Sequence, residues 1–243
     1  MTNLGSEEPL AVSVTSAIRT GNLDGLRALL TAHPILASAR IVDDKGHGRS
    51  LLHVVTDWPG HFPRGTETVA MLVAAGADVH ARFVGPHLET PLHWAASCDD
   101  VAVLDALLDA GAHIDAPGAV IGGGPPLADA TAFAQWAAAF RLVERGATTT
   151  LFTAAALGLT DRVRPWLGPP RPAQDDLDAA FWGACHGGRQ ETAELLATRG
   201  ARINWVAPWE PMTPLDAAHR GKATDLVRWL RSRGARPAAE LTR

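Results

Sequence analysis

Short amphipathic segments recur along the chain, each with apolar side chains at helical spacing. In one of them Val101, Leu104, Leu107 and Leu108 stand at positions i, i+3, i+6 and i+7, which places them on one face of a helix. Gly111 follows this segment, and a glycine in the left-handed conformation commonly ends a helix. The pattern therefore predicts short helices, each of which needs a neighbour to cover its apolar stripe.

A second kind of helix precedes the amphipathic one and is recognised by its start. In Thr90-Pro91 and Thr213-Pro214, the threonine hydroxyl can cap the helix and the proline fits its first turn. Proline lacks a backbone N–H, but at this position the N–H would have no partner within the helix. The pairs Ala95-Ala96 and Ala217-Ala218 follow, and such small side chains let helices approach closely. The sequence thus predicts pairs of helices that pack closely on neighbouring pairs.

These landmarks return with a period of about 33 residues. The helix starts read Ser50-Leu51-Leu52-His53, Thr90-Pro91-Leu92-His93 and Thr213-Pro214-Leu215-Asp216. The Gly-Ala pairs that follow them are Gly76-Ala77, Gly111-Ala112 and Gly234-Ala235. The combination resembles the ankyrin repeat, which is a turn followed by two antiparallel helices.

The resemblance implies an all-α ankyrin-repeat solenoid of about seven helix-turn-helix units joined by hairpin fingers, with residues 1–243 as a single domain. The expected units are an N-terminal cap at 10–43, repeats at 50–82, 90–117, 125–147, 149–167 and 179–206, and a C-terminal cap at 213–237. Pro165 is expected to interrupt the second helix of the 149–167 unit. Because both caps carry polar residues, we expect a monomer.

Several units depart from the repeat pattern. The second unit carries an insertion, residues 57–65, which holds Trp58, His61 and Phe62 and is stiffened by prolines at 59 and 63. The links after the second and third units are also lengthened, whereas Gly146-Ala147 runs almost directly into Leu151. Fingers of unequal length predict an uneven groove with a locally deeper pocket.

Composition limits the classes of partner and the cellular compartment that we expect for this chain. The net charge of −4 and the absence of blocks of like charge give no general attraction to nucleic acid. No segment is long and apolar enough to cross a membrane, and the acidic start MTNLGSEEP argues against secretion. Cys98 and Cys185 form no disulfide framework, so we expect a reducing cytoplasm.

The chain has eight Trp, ten His and no Tyr, and rigid aromatic side chains are what binding hot spots use. In ankyrin-like proteins the residues that contact partners lie in the hairpin before Thr-Pro and on the exposed turn of the first helix. The candidate binding residues, taken from these positions and from the aromatics near them, are His47, Arg49, Trp58, Phe62, His87, Trp94, Phe133, Trp182, Trp205, Trp209 and Glu210. We therefore expect a non-catalytic module that binds a partner protein through a concave face rich in Trp and His.

Some of these side chains have a structural interpretation. His53 and His93 occupy the last position of the helix-start tetrapeptide, where we expect the imidazole to bond the backbone of neighbouring turns. Trp94, Trp136, Trp182 and Trp229 fall at core-type positions of predicted helices.

An ankyrin-fold enzyme or small-molecule receptor, with a pocket under residues 57–65, is the alternative. Asp57, His61, His87, Glu89 and His186, joined by Asp129, are the candidate catalytic residues if they converge. His53, Asp57 and His61 have helical spacing, but Pro59-Gly60 breaks the helix between them, so we expect no metal. No nucleotide-binding fingerprint is present, and no cofactor is expected.

Overall fold

The computed structural model describes residues 2–241, and within that range the chain is mostly helical. Three short strands are β1 Asn3–Gly5, β2 Arg40–Val42 and β3 Gly48–Ser50. The α-helices are α1 Pro9–Thr20, α2 Leu23–Ala32, α3 Leu51–Val55, α4 Gly65–Ala74, α5 Pro91–Ser97, α6 Val101–Asp109, α7 Pro126–Ala132, α8 Trp136–Glu144, α9 Leu151–Leu157, α10 Thr160–Val163, α11 Gln174–His186, α12 Gln190–Thr198, α13 Pro214–Arg220, α14 Thr224–Ser232 and α15 Ala238–Leu241. Two 3₁₀ turns lie at Pro34–Ser38 and Arg164–Leu167.

The helix-start histidines hold neighbouring turns together. The backbone N–H groups of Ser50 and Thr90 donate to Nδ1 of His53 and His93, at 3.3 and 3.1 Å. Each Nε2 then lies near a backbone carbonyl of the next link, at 3.2 Å from Glu89 O and 3.3 Å from Gly124 O. Burial lowers the pKa of His53 to about 3 and that of His93 to about 4. Both imidazoles are therefore neutral, and the structural role expected from the sequence is confirmed.

Helix α6 buries an apolar stripe slightly different from the expected one. Val103, Leu104 and Leu107 are buried, whereas Val101 and Leu108 are half-buried. Asp100 caps the helix by accepting from Val103 N at 3.2 Å, and Gly111 follows it at φ +93°. The expected spacing is right, but the face is rotated toward Val103.

The chain divides into two compact units, residues 1–147 and 148–243. The boundary falls at the short link that follows Gly146-Ala147. In the second unit, the largest fully buried side chain is that of Phe181 on α11, which packs with apolar residues of α9, α12, α13 and α14. The number of repeats and their boundaries stay predictions.

Hairpin contacts tie the links of the first unit to one another. Strand β1 pairs with β2 in parallel, and β2 pairs with β3 antiparallel. The backbones of Gly48 and Val84 form an isolated bridge to the next link, and the Arg40 guanidinium donates to Arg82 O at 2.6 Å. The Arg82 guanidinium in turn donates to Leu88 O and to Pro117 O.

The interruption expected at Pro165 is present. Helix α10 ends at Val163, and the chain continues as the 3₁₀ turn that contains this proline. No helix within residues 2–241 has the length and apolarity that a membrane crossing requires.

Candidate functional site

Four aromatic side chains of the second unit form one group, here called the tryptophan cluster: Phe152, Trp182, Trp205 and Trp209. The Trp209 ring meets the Trp182 ring nearly perpendicularly, with centroids 5.5 Å apart, and it meets Trp205 at the same centroid distance. Phe152 stacks on Trp182 at 6.4 Å and contacts Trp209 edge-on at 6.1 Å. Such tilted and offset pairs are the preferred arrangements of aromatic rings.

The helices and the link before α13 position this cluster. Trp182 projects from α11, is only 3% exposed, and donates its indole N–H to Met212 O at 3.2 Å. The link that carries Trp205 and Trp209 is closed by Ala207 N donating to Met212 O at 3.1 Å. Trp182 is therefore a fixed base, while Trp209 stays 50% exposed above it.

A charged group borders the tryptophan cluster. The Arg220 guanidinium lies 5.6 Å from the Trp182 ring centroid, which is a cation–π contact. It also donates to both carboxylate oxygens of Glu210, at 2.8 and 3.0 Å, and lies 3.3 Å from His186 Nδ1. The His186 ring is buried and stacks on Trp182 at 5.2 Å. These contacts hold the side chains of Arg220, Glu210 and His186 in one arrangement beside the tryptophan cluster.

In the first unit, Trp94 lies in a smaller aromatic group with His47. Phe83 joins the two, with centroids 5.9 Å from His47 and 5.3 Å from Trp94, and the Trp94 ring meets His53 edge-on at 4.8 Å. Phe83 was not a sequence candidate, because nothing in its own segment distinguishes it from an ordinary finger residue.

Glu89 and Asp129 form a buried carboxyl pair beneath this group. Asp129 Oδ2 meets no N–H donor among the described residues, and the neighbouring group is the Glu89 carboxyl. Burial and then the charge of Glu89 raise the pKa of Asp129 to about 7, and burial also raises the pKa of Glu89 despite a hydrogen bond from Trp94. The Asp129 carboxyl therefore keeps its proton at pH values below about 7.

The 57–65 segment is held by contacts with its neighbours. The Asp57 carboxylate accepts from the Arg19 and Arg49 guanidinium groups at 2.7 and 2.8 Å. His61 N donates to Asp100 at 2.8 Å, and its Nε2 lies 2.9 Å from Cys98 O. These hydrogen bonds tie the segment to the turn between α5 and α6.

The aromatic residues of this segment differ in exposure. Trp58 is 81% exposed, and Phe62 lies under the Arg19 guanidinium at 5.8 Å from its ring centroid. His87 is half-buried near Glu89, and Phe133 is exposed at the end of α7.

The candidate catalytic residues are divided between the two units. Asp57, His61, His87 and Glu89 belong to the first unit and His186 to the second. Asp57, His61 and His186 have the ionic, backbone or stacking partners described above, so each makes contacts of a structural kind. Within residues 2–241, no three His, Cys, Asp or Glu side chains are grouped in a way that could hold a metal ion.

Residues 87–119 match the model of the family described as Ankyrin repeat, and no curated protein sequence matches the chain. The match spans helices α5 and α6, with the Thr90-Pro91-Leu92-His93 start and the Gly111 stop that suggested the resemblance. The chain therefore contains an ankyrin repeat at residues 87–119.

Proposed function

We propose that this chain is a non-catalytic binding module and that a partner protein docks on its tryptophan cluster. Ankyrin repeats generally serve as protein-interaction modules, which supports a binding role. The observation that carries the choice of surface is the exposed Trp209 ring, which is supported from below by the buried Trp182. Tryptophan and arginine are the residues most enriched among binding hot spots.

Affinity would come from burying Trp209 and Trp205 under the partner. His186 already stacks on Trp182, and Glu210 already holds the Arg220 guanidinium. These side chains therefore lose little conformational freedom on docking. The Arg220–Glu210 pair lies at the edge, where a partner group can exchange hydrogen bonds with it.

In the first unit, we propose that the exposed residues Trp58 and Phe133 and the half-buried His47, Arg49 and His87 contribute contacts of their own. Glu89 would then act from beneath, since its carboxyl is buried with Asp129.

Affinity capture from the source cell, followed by titration of the purified partner, tests this proposal. We expect Trp209→Ala to weaken binding by about 2 kcal/mol or more, in the range of hot-spot residues. Ile35→Ala is the control, because Ile35 is a similarly exposed apolar side chain of the first unit. Equal affinities of the two variants would exclude the tryptophan cluster as the docking surface, and an additional Trp58→Ala variant reports on the first unit.

We further propose that the protein acts as a monomer in the cytoplasm. Both cysteines are free, and burial raises the pKa of the Cys98 thiol to about 11, so Cys98 is a poor nucleophile for disulfide exchange. Light scattering of the purified protein tests the oligomeric state directly.

A further inference from the structure

A cavity of about 690 Å³ lies within the second unit. Its walls come from the start of α9, the 3₁₀ turn Arg164–Leu167, the proline-rich link that follows the turn, and the first turns of α11. This volume lies within the range of about 300–1,000 Å³ that is usual for small-molecule sites. The cavity is distinct from the pocket that the sequence suggested under residues 57–65.

Most of the wall is apolar and stiff. The rings of Phe152 and Trp166 line the cavity together with four prolines, Pro165, Pro169, Pro170 and Pro172. Trp166 is 48% exposed, so one of the largest apolar surfaces of this unit remains uncovered. Because proline fixes its own backbone φ angle, the wall is largely formed before a ligand arrives.

Two charged side chains line the cavity without partners. Neither the Arg171 nor the Asp176 side chain makes a hydrogen bond or ion pair within residues 2–241. Their charges are not equivalent, however. Asp176 lies in the first turn of the 13-residue helix α11, where the positive end of the helix dipole compensates a carboxylate. The Arg171 guanidinium has no such compensation, so the charge that lacks a counterpart in this cavity is positive.

We propose that this cavity binds a small organic anion with a flat apolar body, of the aromatic carboxylate class. The flat body stacks against Trp166 and the proline wall, and the carboxylate pairs with the Arg171 guanidinium, whose planar fork fits a carboxylate in a bidentate manner. Asp176 stands close enough to the same cavity to disfavour anions, so it limits the affinity.

Three probes with one ring system and different charges test the chemistry. We expect 1-naphthoate to bind the full-length protein more tightly than neutral 1-naphthamide, and 1-naphthylmethylammonium to bind most weakly. The dissociation constants are measured by isothermal titration calorimetry or ligand-observed NMR. Tightest binding of the ammonium probe, or no binding of naphthoate at millimolar concentration, would overturn the proposal.

Single charge changes test the site itself. Arg171→Gln should weaken naphthoate binding by about tenfold, as expected for loss of one charge-assisted pair. Asp176→Asn should strengthen it by about two- to threefold, because a like charge is removed. Arg162→Gln should leave it unchanged, since Arg162 is equally exposed but does not line the cavity. Equal effects of the two arginine changes would refute the assignment.

Two further variants separate this site from the protein-docking surface. Trp166→Ala should weaken naphthoate binding without loss of helical circular dichroism, because Trp166 is half exposed. Trp209→Ala should weaken naphthoate binding less than Trp166→Ala does, because Trp209 does not line the cavity and contacts its wall only through Phe152. A larger loss of naphthoate binding in the Trp209→Ala variant than in the Trp166→Ala variant would place the anion on the tryptophan cluster and contradict the proposal.

Discussion

Asp129 and Asp178 are both fully buried, yet their carboxyl groups have opposite surroundings. Asp178 accepts from the Arg202 backbone N–H and guanidinium, at 2.6 and 2.5 Å. Asp129 instead faces the carboxyl of Glu89. The first carboxylate has its charge compensated, whereas the second is stable in the fold mainly when it carries a proton.

Asp129→Asn should therefore change how stability depends on pH. The pKa of Asp129 is about 7 in the folded protein against an ordinary value of 3.8, so between pH 4 and 7 the folded state binds more protons than the unfolded state. Its contribution to stability then falls as pH rises through this window and is constant above it. Asparagine cannot ionise and resembles the protonated acid. At pH 8 the variant should be more stable than the wild type, by on the order of 2–4 kcal/mol, which urea unfolding at pH 5 and 8 measures.

Asp178→Asn is the matched control. It removes a charge that Arg202 compensates, so the variant should be less stable at pH 8, by about 1–3 kcal/mol. If the wild-type protein loses no stability relative to the Asp129→Asn variant between pH 5 and 8, the raised pKa of Asp129 is contradicted.

For single residues, the sequence predicted a structural role where a local motif determines the hydrogen-bond partner. The positions of His53 and His93 in the tetrapeptide predicted imidazoles bonded to the backbone of neighbouring turns, and the structure shows these bonds. The pairing of Glu89 with Asp129 could not be read from the sequence, because it depends on how two links and α7 pack in three dimensions.

Among the elements, the links of the first unit depend on one close backbone approach. Gly118 has φ +133°, and a Cβ at this position would lie 2.2 Å from Leu88 O. Since Arg82 donates to Leu88 O and Pro117 O, the glycine and the arginine join the same two links.

Gly118→Ala should separate these links and destabilise the first unit by about 2–4 kcal/mol, because strain and a backbone clash add. Gly122→Ala is the control, since Gly122 also has positive φ, at +65°, but a Cβ there meets nothing within 4 Å. It should cost about 1 kcal/mol. Thermal unfolding of both variants measures the difference, and equal midpoints would show that the close approach does not matter.

Helices were predictable from the sequence because their apolar period extends over several turns. Strands β1, β2 and β3 have three residues each, which is too few for an alternating pattern to appear. The parallel pairing of β1 with β2 was not expected, since it joins segments on opposite sides of the first helix pair.

For the whole molecule, the division into residues 1–147 and 148–243 gives each unit a core of its own. Repeat proteins are stabilised mainly by contacts between neighbours. Damage inside one core should therefore spread first through its own unit.

Leu196→Ala and Leu104→Ala test this expectation as a pair. Both leucines are fully buried on the second helix of their pairs, and each truncation should cost about 2–5 kcal/mol. Hydrogen exchange should accelerate mainly within 148–243 for Leu196→Ala and mainly within 1–147 for Leu104→Ala. Uniform acceleration over both ranges in either variant would mean that the chain unfolds as one cooperative block.

The candidate site was partly predictable at this scale. Trp182, Trp205, Trp209 and Glu210 were expected from repeat positions, and the structure places them together. Phe152 was missed, because a phenylalanine after a helix start looks like any core residue. Which aromatics touch depends on the stacking of α9, α11 and the link before α13, and that information is not local.

The spacing of the indole rings has an optical consequence. At centroid distances of 5.5 Å, the electronic transitions of Trp182, Trp205 and Trp209 couple, and coupled transitions give a paired positive and negative circular dichroism band. A partner that rotates Trp209 would change this band without any attached label. The circular dichroism of the tryptophan cluster would therefore report the docking of a partner directly.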